Sequence, residues 1–189
     1  MSGPPARLGL DMGGVPGWLA AGRLGDLWRA AREAARLVEA GRRTLATAES
    51  LTGGWLSASL TSIPGVSEYY LAGFTAYSNQ AKVDLLGVPE DVLRARGAVS
   101  SECAEAMAAG ALLRAGSDLA LSTTGVAGPS GGSPEKPVGL AYVSATDGVR
   151  TLTKACMSGG SRLDVSLATA VEAWALLARL LSEPGSPDV

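Results

Sequence analysis

The chain predicts an α/β fold, a three-layer α/β/α sandwich around a mixed, mostly parallel five-stranded sheet. Three observations carry this. Apolar runs of strand length interleave with longer amphipathic stretches of helical period. Asp147-Gly148 lies between two apolar runs and reads as a hairpin turn, which sets one strand antiparallel. The 189 residues, 47% hydrophobic and 18% charged, suffice for one sizeable core and are too apolar for a disordered chain.

The elements follow in order. Residues 1–22 are rich in Gly and Pro and lack periodicity. They read as a mobile leader, docked through Trp18, ahead of a domain over residues 23–189. Asp26 is placed to cap a helix whose Leu27, Ala31, Ala34 and Val38 share a face, and Gly41 ends it. Thr44 to Glu49 is the first strand. Gly53 and Gly54 open a second helix to about Ser62, and Pro64-Gly65 makes a turn. Tyr69 to Tyr77, aromatic and apolar, is the second strand. Asn79 is expected to cap a short helix carrying Lys82, Val83, Leu85 and Leu86, and Pro89 suits the first turn of another. Ser100 caps a longer helix from about Ser101 to Ala115. Asp118 to Thr123 is the third strand. Thr124 to Pro137, with four glycines and three prolines, is a loop. Strands over about Gly139–Ala145 and Val149–Met157 flank the hairpin turn. The last helix runs from about Arg162 to Ser182. Its apolar stretch, Leu163 to Leu181, is interrupted by Asp164, Glu172 and Arg179, so it reads as a buried amphipathic helix rather than a membrane span.

Composition narrows the chemistry. The net charge of −2, without a dense Lys/Arg run, argues against a nucleic-acid groove. Cys103 and Cys156 form no CxxC pair and have no histidine neighbours, so they read as reduced thiols rather than zinc ligands. No secretory signal is seen, and a cytoplasmic protein without a membrane partner is expected. The chain has no histidine, which excludes a Ser-His-Asp triad. Any serine nucleophile must use a lysine, a tyrosine, a carboxylate or water as its base.

Ser50 closes the first strand just before Gly53-Gly54. It is either the N-cap of the second helix or a hydroxyl presented at the carboxyl edge of the sheet, where open α/β sheets bind ligands. There the N–H groups of Leu51 and Thr52 are placed to stabilise an oxyanion. Only three lysines exist. Lys136, between Glu135 and Pro137, sits where its charge is favoured, and Lys154 lies in a hairpin strand without a motif. Lys82 is by default a surface lysine, and it could serve as a base only where burial lowers its pKa; a tyrosine, a carboxylate and water stay open at this point.

Three segments stand out together: AESLTGG over Ala48–Gly54, AYSNQAK over Ala76–Lys82 and TGVAGPSGGSPEKPVG over Thr124–Gly139. In order and spacing they closely resemble the C-terminal domain of the CinA family, which also occurs alone as the bacterial nicotinamide-mononucleotide deamidase. The resemblance covers about residues 25–182 and implies a mixed five-stranded sheet between helices. It implies a Ser-Lys amidohydrolase that converts nicotinamide mononucleotide to nicotinic acid mononucleotide and ammonia, with Ser50 as nucleophile and Lys82 as base. Tyr77 resembles the family's third active-site residue. Its hydroxyl is expected to hold Lys82 neutral or to relay a proton to the leaving ammonia.

Thr124 and Gly125 are expected at the nucleotide through hydroxyl and N–H groups. The helix start at Leu51, Thr52, Gly53 and Gly54 is expected to assist, with Arg162 as a phosphate clamp. By itself the glycine pattern after Thr124 is a weak phosphate signal, and Arg162 is by default a surface residue. Leu51 stands where many relatives carry Cys. No counterpart of the family's N-terminal domain is seen, so the pyrophosphatase activity residing there is expected to be absent. No metal and no cofactor is required. The expected partners are a small-molecule nucleotide substrate and further copies of the chain, as a homodimer or higher homo-oligomer. The alternatives are a non-catalytic nucleotide-binding or partner module, and an amidohydrolase of another small amide.

Overall fold

Strand β1, Leu45–Glu49, is buried along its whole length. Thr47 and Glu49 alternate with Ala46 and Ala48, yet they are buried too, because both faces of this central strand are covered. It lies between two parallel neighbours, β2 (Tyr70–Thr75) and β3 (Leu119–Gly125). The remaining strands, β4 (Leu140–Thr146) and β5 (Thr151–Met157), extend the sheet in antiparallel steps, giving the order β2-β1-β3-β4-β5. The sheet is mixed, as expected. Its pairings divide into two parallel and two antiparallel, and only β4 runs against the other strands. The computed structural model describes residues 17–183, with side chains from residue 22 onward.

Helices cover both faces. Helices α1 (Gly17–Ala40), α2 (Trp55–Thr61) and α6 (Arg162–Ser182) pack on one side, where Leu45, Leu119 and Leu121 meet Leu27, Val38, Trp174 and Leu177. Trp174 is fully buried there and donates its indole N–H to Ser59 Oγ at 3.0 Å, which satisfies the polar end of a core aromatic. Helices α3 (Asn79–Leu86), α4 (Glu90–Ala95) and α5 (Ser101–Ala115) lie on the other side. On that face β1 presents Ala46 and Ala48, and β3 presents Ala120. These small side chains let α5 come close to the sheet. By length and composition α6 is apolar enough to cross a membrane, but Leu167, Ala170, Trp174 and Leu177 bury it against the sheet and α1.

Several local expectations change. Helix α1 begins at Gly17, so Asp26 lies within it and pairs with Arg29 at 3.1 Å instead of capping the helix. The first sixteen residues of the expected leader, and the Trp18 side chain, lie outside the described residues. Ser78, not Asn79, caps α3 and accepts from Ala81 N at 3.0 Å. A serine hydroxyl one residue earlier makes the same capping bond, so sequence spacing alone does not separate the two. Pro89 is the N-cap residue of α4 rather than part of its first turn. Ser100 caps α5 as expected, and α6 has the expected bounds with a Ser161/Asp164 capping box. Thr124 and Gly125 belong to β3, not to the following loop.

Gly110 shows how closely α3 and α5 are seated. A Cβ there would overlap the backbone carbonyl of Leu86 and lie 2.8 Å from its carbon. Helix propensity alone favours Gly110→Ala by about 1 kcal/mol. Overlap with a main-chain carbonyl in a packed interior costs about 1–3 kcal/mol, so it dominates. Gly110→Ala is expected to lower the urea unfolding midpoint; a raised midpoint would show that α3 and α5 can separate freely.

Candidate active site

The site forms where the parallel strands end. β1 leads to β2 on one side, and the chain then crosses back to β3 on the other. That change of direction leaves a crevice beyond the carboxyl ends of the strands. Ser50 follows β1, Ala76 and Tyr77 follow β2, and Thr124 and Gly125 end β3. Arg162 enters from the first turn of α6.

Ser50 is not a helix cap. Helix α2 starts only at Trp55, with Gly54 as its N-cap and no side-chain cap bond. Instead Ser50 Oγ lies 2.9 Å from Lys82 Nζ. Lys82 is 1% exposed, and its other two partners are the carbonyls of Ala76 at 2.9 Å and Tyr77 at 3.3 Å. Carbonyls only accept, so they fix two N–H bonds of the amine. The third position faces Ser50. In the neutral amine that position is the lone pair, aimed at the hydroxyl proton. Burial holds the ammonium form below the ordinary lysine pKa, and the nearby Cys103 opposes this to a lesser degree. The other lysines are engaged elsewhere. Lys154 pairs with Glu172 at 2.6 Å, which raises its pKa, and Lys136 donates to the Arg96 carbonyl.

The turn after Ser50 divides its N–H groups. Ser50 N donates to Thr123 O at 3.1 Å, Gly53 N to Ser50 O at 3.2 Å and Gly54 N to Glu49 at 2.9 Å. The N–H groups of Leu51 and Thr52 donate to no acceptor among the described residues. Gly53 and Gly54, by contrast, are engaged. The Leu51 side chain packs with Ala127, Ala141 and Val165. Glu49, not legible as a site residue in the sequence, is a fully buried carboxylate next to Ser50. Its signal was a lone acidic residue ending an otherwise apolar strand.

A cleft of about 270 Å³ opens over Ser50 and Lys82 and is walled by Tyr77, Asn79, Val99, Thr124 and the Gly128–Gly131 loop. Thr124 lines it, but its hydroxyl already donates to Ala98 O at 2.6 Å. Gly125 is required by packing, since a Cβ there would lie 2.7 Å from Ala141. In the loop that follows, the N–H groups of Ala127, Gly128, Ser130 and Gly131 have no acceptor among the described residues.

Tyr77 departs from its expected role. Its backbone carbonyl touches Lys82, but its hydroxyl accepts from Arg162 Nη2. Arg162 Nη1 donates to Gly128 O at 2.8 Å. This arginine–tyrosine contact separates the cleft from a second cavity of about 720 Å³, where Thr52 and Gly53 lie with Trp55, Pro129 and Leu163.

Comparison with known proteins identifies the family. The family described as "CinA C-terminal domain" matches residues 29–181. A CinA-like protein of Mycobacterium tuberculosis is 50% identical over 147 residues, 77% of this chain and 34% of its own length. A CinA-like protein of Geobacter metallireducens is 48% identical over 147 residues, 78% of this chain and 36% of its own length. The chain thus spans about a third of the length of these relatives. Among solved structures, a competence/damage inducible protein of Agrobacterium tumefaciens superposes with a TM-score of 0.79 at 38% identity. It covers 84% of this chain and 96% of its own. A CinA superfamily protein of Escherichia coli gives 0.78 at 30% identity, covering 82% and 90%. By motif, fold and sequence, the chain belongs to the CinA C-terminal domain family.

Proposed function

We propose that the chain hydrolyses the carboxamide of nicotinamide mononucleotide, yielding nicotinic acid mononucleotide and ammonia. The observation that carries this reading is the buried Ser50–Lys82 contact of 2.9 Å, with Lys82 held by two carbonyls and no carboxylate. A binding module has no use for a desolvated lysine aimed at a serine.

The steps balance as an acyl transfer. Ser50 Oγ attacks the carboxamide carbon while its proton passes to Lys82 Nζ. The carboxamide oxygen gathers negative charge and is met by the N–H groups of Leu51 and Thr52. Lys82 then gives its proton to the departing nitrogen, the C–N bond breaks and ammonia leaves. Water attacks the resulting ester, and Lys82 takes its proton and returns it to Ser50 as the ester bond opens. Lys82 touches Ser50 directly, so the first proton transfer needs no relay. The substrate phosphate requires donors. The free N–H groups of the Gly128–Gly131 loop support a phosphate seat there, with Arg162 holding the loop through Gly128 O and adding charge. The two free thiols, Cys103 and Cys156, accord with a cytoplasmic setting.

Ammonia release from nicotinamide mononucleotide tests the assignment. Ser50→Ala is expected to fold, since one lost hydrogen bond costs about 0.5–1.5 kcal/mol, and to lose nearly all turnover. More than a few per cent activity in the folded variant excludes a covalent Ser50 mechanism.

The base is active only when unprotonated. Activity should therefore rise with pH through the Lys82 pKa, at a midpoint below the usual lysine value of about 10.4. Lys82→Arg should be inactive across this range, because guanidinium does not deprotonate in proteins. A flat profile, or an active arginine variant, would assign the base to water.

Arg162→Ala should weaken hydrolysis of the mononucleotide at least tenfold more than that of its riboside, about 1.4 kcal/mol of phosphate-dependent binding. Equal losses would free Arg162 of any phosphate role. Equal hydrolysis of free nicotinamide would refute the substrate assignment.

A further inference from the structure

Glu49 is fully buried, immediately precedes the nucleophile and has no cationic partner among the described residues. An unpaired buried carboxylate is tolerated only when donors replace its water. Five do so. Oε2 accepts from Thr52 Oγ at 2.8 Å, Gly54 N at 2.9 Å and Leu56 N at 3.0 Å. Oε1 accepts from Ser57 N at 2.9 Å and Ser57 Oγ at 2.8 Å. A carboxylate offers about four lone-pair sites, so none remains for a proton from Ser50 or water. Glu49 is thereby excluded as the base.

The same bonds orient the hydroxyls around it. Thr52 donates to Glu49, so in the 2.7 Å contact between Thr52 and Thr123 the donor is Thr123. The backbone carbonyl of Thr123 in turn receives the N–H of Ser50. On the other oxygen, Ser57 donates to Glu49 and receives the Tyr70 hydroxyl at 2.9 Å, and Thr47 lies 2.7 Å from Tyr70 and 3.2 Å from Ser57. The anion thus fixes the proton direction from Thr123 through Thr52 and that of the Ser57 hydroxyl. It also caps α2, whose own N-cap residue, Gly54, lacks a side chain.

We propose that Glu49 is the positioning residue of this site. The chain leaves the carboxylate at Ser50 and returns to it at Thr52, Gly54, Leu56 and Ser57. This closed turn holds Ser50 Oγ against Lys82 and leaves the N–H groups of Leu51 and Thr52 without internal acceptors. The inference rests on the Ser50–Lys82 reading of the function above.

Glu49→Gln keeps the size of the side chain but turns one acceptor oxygen into a donor that faces N–H groups unable to reverse. Two readouts are used on the intact chain. One is the rate at which a fluorophosphonate probe labels Ser50, followed by mass spectrometry. The other is steady-state hydrolysis of nicotinamide mononucleotide. In folded Glu49→Gln, both labelling and kcat should fall roughly 10²–10³-fold, the loss typical of an oxyanion donor, with KM within about threefold of wild type. A purely structural role would lower the melting temperature and leave kcat per folded molecule unchanged. Thr52→Val, which removes one donor and keeps the carboxylate, serves if Glu49→Gln does not fold, and a severalfold fall in labelling is expected. Labelling and kcat within threefold of wild type in folded Glu49→Gln, or unchanged labelling in Thr52→Val, overturns the proposal. A wild-type chain that labels at Ser50 but releases no ammonia from the mononucleotide overturns the substrate reading alone. One that does neither overturns both.

Discussion

A lysine buried without a carboxylate partner is the constraint around which this domain is organised. Desolvation of an ammonium is costly, and the two carbonyls and one hydroxyl around Lys82 Nζ do not cancel its charge. The group is therefore held in place by packing. Helix α3 carries Lys82 and is fixed by its Ser78 cap and by the bare backbone of Gly110 on α5. The alanines of β1 and β3 allow α5 to lie close enough to provide that seat. A stability cost at one side chain is thus offset by close-packed surroundings, as is common where a site must hold an unfavourable protonation state.

Two buried ionisable groups flank Ser50, and the fold treats them oppositely. Glu49 is surrounded by five donors, three of them backbone N–H groups, in an environment built for an anion. Lys82 has acceptors at only two positions and a hydroxyl at the third, an environment that also suits the neutral amine. The carboxylate anchors the turn, and the amine faces the hydroxyl. Glu49 ends β1 whereas Lys82 lies on α3, and no salt bridge joins them among the described residues; such a bridge would hold Lys82 protonated.

The rim of the cleft is built by longer-range contacts. Arg162 on α6 reaches the Tyr77 hydroxyl after β2 and the Gly128 carbonyl after β3, joining three segments far apart in sequence. Lys136 ties the far end of the glycine-rich loop to the Arg96 carbonyl. The loop is therefore anchored at both ends, while its middle N–H groups remain unbonded within the described residues.

The sequence by itself determined the element order and the single reversed strand, and it narrowed the lysine partners of Ser50 to three, of which the family resemblance chose Lys82. Apolar runs, capping residues and the Asp147-Gly148 turn are local signals, and the lack of histidine left few bases to choose from. Residue positions near Ser78 and Asn79 were less legible, because adjacent polar residues offer almost the same local bond. The roles of Glu49, Tyr77, Arg162 and Thr124 were decided by tertiary structure. A glutamate ending a strand reads as a boundary residue until α2 folds its N–H groups over it. The family resemblance assigns the Tyr77 hydroxyl to Lys82, but α6 brings Arg162 to it. Such contacts depend on side-chain directions at the ends of elements distant in sequence, and those directions are set only when the layers pack.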